Sequence, residues 1–248
     1  MPDLRSNEPD DLGGDGPAAL GASAGAPAVS ERVRLRRRRE RGSHERATID
    51  AILDEALIAH LGIADASGQP FVLPMLHARS GDQVYLHGSS AGRAMRTLSA
   101  GVPACLTVSL LDGLVLARAA MHHSANYRSV MLLGTARLVD APQEKRAALE
   151  AIVEHIVPGR WAETRPPSEN ELKATSVLAL AIDEASAKTR TGPPVDDEED
   201  YELPVWAGVI PLVSQAGQPQ PDARLAPGTP LSASADGYAR PGSPRPRR

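Results

Sequence analysis

The chain has 248 residues, enough for one large domain or two small ones, and its formal net charge of −4 provides no global positive field for nucleic acid. The single cysteine, Cys105, excludes an intrachain disulfide, and its apolar neighbours predict a buried thiol. No apolar run approaches the ~20 residues that span a bilayer, and no basic-then-apolar signal pattern is present at the N-terminus. We therefore expect a cytoplasmic protein without a membrane partner.

Both ends of the chain are poor in large apolar side chains. Such segments bury too little apolar surface to offset the entropy of an ordered chain. We predict disorder for residues 1–41, which end in an Arg-rich run, and for the Pro/Gly/Ser tail at 214–248, which leaves one domain at 42–213. The Arg-rich run, residues 32–41, is interpreted as a solvated lead-in to the first helix. The alternative, nucleic-acid binding, lacks aromatic side chains for base stacking.

The predicted domain begins with a helix and continues in short strands. Ile49, Ile52, Leu53 and Ala56 follow helical spacing, and so do residues 93–99 and 141–157. A capping box at Ser168 and Glu171 predicts one more short helix. Strands are predicted at residues 58–64, 70–79, 83–87, 102–110, 114–119, 127–139, 176–182 and 185–190, and residues 205–213 close the ordered part. Short strands and tight turns favour an antiparallel barrel with peripheral helices, and Gly134 predicts a bulge or bend within its strand.

Residues 111–129 carry the most informative chemistry. Two adjacent histidines, two serines, an asparagine, a tyrosine and two arginines lie between apolar runs. A pocket for a polar, anionic, planar ligand would use all of these groups. A metal site is not predicted, because adjacent His122 and His123 on a strand would point to opposite faces.

Residues 87–93 predict a phosphate site. His87, Gly88, Ser89, Ser90 and Arg93 lie where a strand leads into a helix. Backbone amides and hydroxyls at such a junction can hold a phosphate, and an arginine in the first helical turn can fork onto its oxygens. The alternative is a Gly-Ser turn with a solvated arginine.

These residues resemble the FMN-binding split barrels related to pyridoxamine 5′-phosphate oxidase, and within them the nitroimidazole-resistance (Nim-type) branch. The similar segments are Phe71-Val-Leu-Pro-Met75, Val84-Tyr-Leu-His-Gly-Ser-Ser90 with Arg93, Asp112-Gly-Leu-Val-Leu-Ala-Arg118, His122-His-Ser-Ala-Asn-Tyr-Arg-Ser129, Ser186-Ala-Lys-Thr-Arg-Thr-Gly192 and Trp206-Ala-Gly-Val-Ile-Pro211. The resemblance covers residues 33–212. It implies a mainly β fold, a six- to seven-stranded antiparallel split barrel with peripheral helices, which forms a homodimer with FMN between the subunits.

The resemblance also implies a set of FMN-binding residues. Leu73, Pro74 and Met75 would run along the isoalloxazine, with backbone groups at its polar edge. The ribityl and phosphate groups would lie against His87, Gly88, Ser89, Ser90 and Arg93. Trp206 lacks the following arginine with which the oxidase grips pyridoxal phosphate, so vitamin B6 oxidation is not expected.

Each of the remaining candidate site residues has two possible roles. Arg128 could neutralise an anion or form a salt bridge, and Tyr127 could contact flavin or fill the core or an interface. Lys188 could bind an anion, together with Arg190, or lie on a solvated edge, and Trp206 could stack near the flavin or cap the core. Ser124 and Asn126 are the other two candidate cofactor-binding residues of this segment. Either His122 or His123 could be a substrate-side acid or an interface hydrogen-bonding group.

We expect an FMN oxidoreductase that passes electrons from NAD(P)H to a small acceptor such as a nitro compound or quinone. His87 or His122 would supply a proton. The alternative is a non-catalytic flavin or haem carrier or sensor of the same fold. For haem, the candidate axial ligands are His77, His87, His122 and His123.

Overall fold

The structure is a computed structural model that describes residues 30–242. The predicted disorder of residues 1–29 and 243–248 lies outside this range. Ten strands form one antiparallel sheet. They are β1 (Gly42–Ser43), β2 (Ile58–Ala64), β3 (Pro70–Ser80), β4 (Gln83–Ser89), β5 (Pro103–Leu116), β6 (Ser124–Thr135), β7 (Arg137–Leu138), β8 (Thr175–Ala181), β9 (Glu184–Arg190) and β10 (Gly208–Pro211). The helices are α1 (Arg46–Glu55), α2 (Arg93–Ser99), α3 (Pro142–Ile156), α4 (Glu169–Ala174) and α5 (Ala233–Asp236).

The predicted fold class is confirmed, since the chain is mainly antiparallel sheet with a few helices, as in a split barrel. The sheet order is β1-β9-β6-β5-β2-β3-β4-β8-β7. β10 pairs with residues 113–116 of β5, on the edge that β2 uses at residues 104–107. Three of the ten strands, β1, β7 and β10, have at most four residues, which accounts for the excess over the predicted six or seven. The described residues contain no helix with both the length and the apolar character that a membrane span requires.

The main core lies between the sheet and α1. The four residues that predicted this helix, Ile49, Ile52, Leu53 and Ala56, are all buried there with apolar residues from β2, β4, β5 and β8. At α4, Ser168 Oγ accepts from the Glu171 amide at 3.3 Å, and the Glu171 carboxylate accepts from the Ser168 amide at 2.7 Å. The helix predicted from the spacing of Ile49, Ile52, Leu53 and Ala56 and the capping box predicted at Ser168 and Glu171 are therefore confirmed.

Two strand predictions need correction. The strands predicted at 102–110 and 114–119 are one strand, β5, with a register shift between Leu111 and Gly113 where it pairs with β6. Asp112 is the extra residue of a bulge. Gly134 pairs regularly with Ala104 and marks no bulge. An added Cβ there would lie 2.9 Å from Leu180 Cδ1, so this glycine permits close packing.

Two histidines donate hydrogen bonds to carbonyl groups at the C-terminal end of α1. His77 is fully buried on β3, and its Nε2 donates to the Leu53 carbonyl at 3.1 Å. His155 on α3 donates from Nε2 to the Ala56 carbonyl at 2.8 Å. These bonds use helix-terminal carbonyls that have no partner within the helix. Burial, and secondly the neighbouring His155, lower the pKa of His77 to about 4.

The buried neutral His77 predicts a loss of stability in acid. The unfolded chain takes up a proton near the ordinary histidine pKa of 6.5, whereas the folded chain does so only near pH 4. Stability therefore falls as pH drops through this window, by about 3 kcal/mol in full. His77→Gln should remove that part of the pH dependence, as measured by urea unfolding at pH 7 and pH 4.5. The exposed-site control His123→Gln should keep it, and equal acid sensitivity of His77→Gln and the wild type would contradict this role.

Candidate functional site at the opening between β3 and β4

Strands β3 and β4 separate part-way along their length. Their pairing runs from Ser80↔Gln83 to His77↔Leu86 and stops there. Beyond this point, β3 pairs only with β2 through residues 70–76, and β4 pairs only with β8 through residues 87–89. One edge of β3 therefore presents backbone groups that no described strand uses. An unpaired strand edge of this kind can bind a ligand through main-chain hydrogen bonds.

Arg93 crosses the far end of this opening. Its guanidinium carbon lies 4.4 Å from the centre of the Phe71 ring, so α2 and β3 are in contact there. A cation over an aromatic face is attracted to the ring while its in-plane N–H groups stay available. No carboxylate of residues 30–242 lies within ion-pair distance of Arg93, although Asp65 is near enough that the charge of Arg93 is one cause of its lowered pKa. The Arg93 guanidinium is thus available to an anionic ligand.

The backbone at this junction offers less than expected. The Ser90 amide donates to the Ala174 carbonyl at 2.9 Å, and the Gly92 amide donates to the Ser89 carbonyl at 2.8 Å. These two amides are therefore not free for a phosphate. The exposed hydroxyls of Ser89 and Ser90 and the Arg93 guanidinium are the groups that can bind one.

The predicted flavin-facing run on β3 is divided between two faces. Met75 packs against the main core, and Leu73 is half-buried on the same face. Pro74 is exposed on the opposite face, which the strand register assigns also to His87. A ligand in the opening would meet Pro74 directly and only the backbone groups of Leu73 and Met75.

His87 is half-buried, and its Nδ1 is buried without a hydrogen-bond partner among the described residues. Burial alone lowers the pKa of His87, so the ring is neutral at neutral pH. A buried ring nitrogen without a partner is costly and can be satisfied by a ligand. Gly88 beside it packs under α2, where an added Cβ would lie 3.1 Å from the Met95 side chain.

Arg128 has the salt-bridge role rather than the anion-binding one. Its Nε and Nη2 donate to Asp112 at 3.0 and 2.7 Å, and Nη2 also donates to Glu55 at 2.8 Å. Nη1 pairs with the second Glu55 oxygen. The hydrogen bonds to Asp112 and then Glu55 raise the pKa of Arg128 well above its ordinary value. The guanidinium thus joins the end of α1 to the β5 bulge, and its charge is balanced by these two carboxylates.

The other candidate cofactor-binding residues between positions 124 and 206 differ in how deeply they are buried. Asn126 is buried, donates to the Gly192 carbonyl at 3.1 Å and accepts from Arg190, so both ends of its amide are used. Ser124 is exposed, whereas Tyr127 and Lys188 are half-buried. Trp206 is 66% exposed, which excludes the core-capping interpretation. Its ring instead lies against Gly208, where an added Cβ would be 2.9 Å away.

Asp196 organises the loop that carries His122. Its buried carboxylate accepts from the Arg118 amide at 3.0 Å, the Ala119 amide at 3.3 Å and the Arg118 guanidinium at 3.1 Å. Burial opposes its ionisation, but these three donors outweigh burial and hold the pKa of Asp196 below its ordinary value. His122 Nδ1 lies 3.6 Å from the same carboxylate. Sequence reasoning missed Asp196, and its only signal was the acidic run that follows Pro193-Pro194.

His122 and His123 do not lie on a strand as expected. They lie in a 3-10 turn and its cap between β5 and β6, with His123 Nδ1 bonded to the Ala119 carbonyl at 3.1 Å. Ligand atoms of His122, Asp196 and Asp200 come within 4.8 Å of one another. This spacing is compatible with a metal ion, although Asp196 already has three donors.

A sequence model of the family described as pyridoxamine 5′-phosphate oxidase matches residues 45–189, more than half of the chain. The chain belongs to this family. A comparison with curated proteins finds no match.

Three solved structures of relatives are informative. The flavocytochrome Anf3 from Azotobacter vinelandii is 46% identical with a TM-score of 0.81, over 86% of this chain and 99% of that one. The FAD and haem binding protein from Mycobacterium smegmatis is 39% identical with a TM-score of 0.77, over 81% and 98%. A putative 5-nitroimidazole antibiotic resistance protein from Bacteroides thetaiotaomicron is 26% identical with a TM-score of 0.51, over 59% and 85%. Membership of the wider family is confirmed, and the finer Nim-type assignment stays a prediction.

The Asp196 contacts predict a stabilising role that a neutral amide cannot replace. In Asp196→Asn, an N–H group would face the Arg118 donors, so the midpoint of thermal unfolding should fall by about 3 °C or more. Limited proteolysis should cut residues 191–203 faster than in the wild type. Asp197→Asn, at a side chain that is 74% exposed, is the matched control and should change neither measurement. Unchanged melting of Asp196→Asn would contradict the assignment.

Proposed function

We propose that this chain is a flavin-binding redox protein and that the flavin lies in the opening between β3 and β4. The observation that carries the proposal is the parting of these strands beside an arginine that forms no ion pair among the described residues. The descriptions of the two relatives that cover more than four fifths of this chain, a flavocytochrome and an FAD and haem binding protein, support it.

Each part of the opening suits one part of a flavin. The free β3 edge at residues 70–76 offers amides and carbonyls to the polar edge of an isoalloxazine, and Pro74 offers an apolar contact. Ser89, Ser90 and Arg93 suit a phosphate, for which a forked guanidinium is well matched. His87 can satisfy its buried Nδ1 on a ribityl or ring group.

The flavin can be FMN, as the resemblance implies, or FAD, as the description of the Mycobacterium smegmatis relative favours. The groups named above serve the part that both cofactors share. Extraction of the bound flavin followed by mass measurement separates the two.

The proposed activity is electron transfer from NAD(P)H to a small acceptor such as a nitro compound or quinone. The flavin supplies the hydride and electron chemistry, and the protein supplies position and electrostatics. His87 shares the face of Pro74, and burial lowers its pKa, which favours the neutral ring and makes the protonated ring a stronger proton donor. His122 beside Asp196 is the second candidate for proton transfer.

Haem binding is a second candidate function, favoured by the descriptions of both relatives. Among the four candidate ligands, His77 is fully buried and bonded to a helix carbonyl, which makes it a structural residue. His87 and His122, like His77, each keep a buried Nδ1 without a hydrogen-bond partner among the described residues, and His123 is exposed. His87, His122 and His123 are therefore the better candidates for an axial ligand.

We also propose that the functional unit is a homodimer. The outer face of β2, β3 and β5 carries Ile58, Val72 and Leu111, which are 43%, 66% and 53% exposed. The register assigns all three to one side of the sheet. Exposed apolar side chains that share a face are typical of a protein interface, and a second copy would cover this face and approach the opening.

The flavin proposal predicts a yellow protein whose cofactor depends on Arg93. The purified protein should show flavin absorption that bleaches with NAD(P)H, and bound haem would add a Soret band. In Arg93→Gln, loss of a charge-assisted contact to phosphate should raise the flavin Kd about tenfold or more. The Kd is measured by quenching of flavin fluorescence.

Arg96→Gln is the matched control, because Arg96 is also exposed on α2. It should bind flavin as the wild type does. A colourless wild-type protein that ignores both FMN and FAD would overturn the flavin proposal, and equal losses in the two variants would remove Arg93 from it.

The dimer proposal predicts that a charge on the outer face separates the subunits. Leu111→Lys would bury an ammonium group without a partner in the interface, which is strongly unfavourable. Light scattering after size-exclusion chromatography should give a monomer, with unchanged circular dichroism. Leu231→Lys, at a residue that is 55% exposed outside the sheet, should leave the mass unchanged. A wild-type monomer would contradict the proposal.

A further inference from the structure

A pocket lies beside residues 121–124, and Arg93 is not among its lining residues. It has a volume of about 430 Å³. Three stretches of chain form it: the segment before β1, the turn before β6, and the end of β9 with its following loop. The lining residues are Arg38, Arg41, Met121, His122, His123, Ser124, Arg190, Val195, Asp196 and Asp197.

Arg190 is the unusual residue of this pocket. It is only 8% exposed, yet its guanidinium donates only to neutral oxygens. These are Asn126 Oδ1, the Pro193 carbonyl at 3.1 Å and the Gly192 carbonyl at 3.4 Å. No carboxylate of residues 30–242 forms an ion pair with it. A buried cation without a counterion is costly, and an anion in the pocket would supply the missing charge.

Two further arginines add positive charge to the same pocket. Arg41 is close enough to Arg190 that, after burial, it is the next cause that lowers the pKa of Arg190. Within the described chain, the one ion pair of Arg41 is a contact of 3.8 Å with its neighbour Glu40, and Arg38 has none. Both come from the Arg-rich run at residues 32–41, which the proposed function does not use.

The two acidic residues of the pocket do not cancel this charge. Asp196 is neutralised by the Arg118 guanidinium and two backbone amides. The Asp197 side chain is largely exposed to solvent and lies near His122. The local balance at Arg38, Arg41 and Arg190 is therefore positive.

We propose that this pocket binds a phosphate or pyrophosphate group of a nucleotide-like ligand. Guanidinium groups present forked donors that match phosphate oxygens. Met121 and Val195, which are 90% and 73% exposed at the pocket, offer apolar contact to a base or ring attached to that group. The ligand is either the pyrophosphate end of a flavin or a separate dissociable nucleotide.

Inorganic pyrophosphate is a probe that contains no flavin group and tests the site directly. Calorimetric titration of the full chain as purified, at low salt, should show saturable binding. In Arg41→Gln, loss of one charge-assisted contact should raise the pyrophosphate Kd about tenfold. Arg39→Gln, in the same short turn but outside the pocket, is the matched control and should keep the wild-type Kd. Absence of binding to the wild type, or equal Kd values for Arg41→Gln and the wild type, would overturn the proposal.

A second set of titrations separates this site from the opening at β3 and β4. Arg93→Gln should bind pyrophosphate like the wild type, and a shared loss in Arg93→Gln and Arg41→Gln would overturn the assignment of a distinct site. With saturating FAD, loss of pyrophosphate binding identifies the flavin's own pyrophosphate as the ligand, and unchanged binding identifies a separate nucleotide. Both of these outcomes support the anion site, whereas failure of the flavin proposal would leave the titration without FAD unaffected.

Discussion

The ladder between β5 and β6 is the constraint on which most of this fold depends. It runs from Pro103↔Thr135 to Val115↔Ser124, and β2, β9 and β10 pair directly with its two strands. The second edge of β5 first pairs with β2 and later with β10, and the second edge of β6 pairs with β9. The Asp112 bulge lies between the two partners of β5. The extra residue therefore coincides with the change of neighbour, and it leaves both Leu111 and Leu114 on the exposed side.

The partners of four arginines distinguish those with a structural role from those that are candidates for binding a ligand. Arg128 has two carboxylates, and Arg118 has Asp196, so both hold chain segments together. Among the described residues, Arg93 contacts an aromatic face and forms no ion pair, although Asp65 is near it, and Arg190 donates to neutral oxygens alone. A guanidinium without an acidic partner is the more informative one, because its charge is not balanced by the fold. Of these four arginines, Arg93 and Arg190 therefore mark two places that suit an anion.

Local patterns were sufficient for much of the secondary structure. The spacing of Ile49, Ile52 and Leu53 gave α1, and the Ser168–Glu171 pair gave the cap of α4, because both signals act within one or two helical turns. The bulge was missed since Asp112-Gly113 reads equally well as a turn. Continuity of β5 depends on its partner strand, which a linear pattern does not identify.

The candidate site was predictable in part for the same reason. The 87–93 junction could be located from adjacent residues, whereas the loss of two of its amides depends on Ala174 and on local turn geometry. Asp196 contacts Arg118 across 78 positions, and Asn126 contacts Arg190 across 64. Contacts over such distances follow from the fold alone. The exposure of Trp206 likewise depends on where β10 joins β5.

The pairing of β1 with β9 has a consequence for synthesis on the ribosome. Gly42 and Ser43 lie opposite Lys188 and Ala187, so the first strand has no neighbour until the ninth has been made. Domains form from the N-terminus as the chain emerges, and non-local pairs close late. Arg38 and Arg41 therefore meet Arg190 only when most of the chain has left the ribosome. The positively charged pocket is therefore among the last features to assemble. It is complete only after the two ends of the domain have come together.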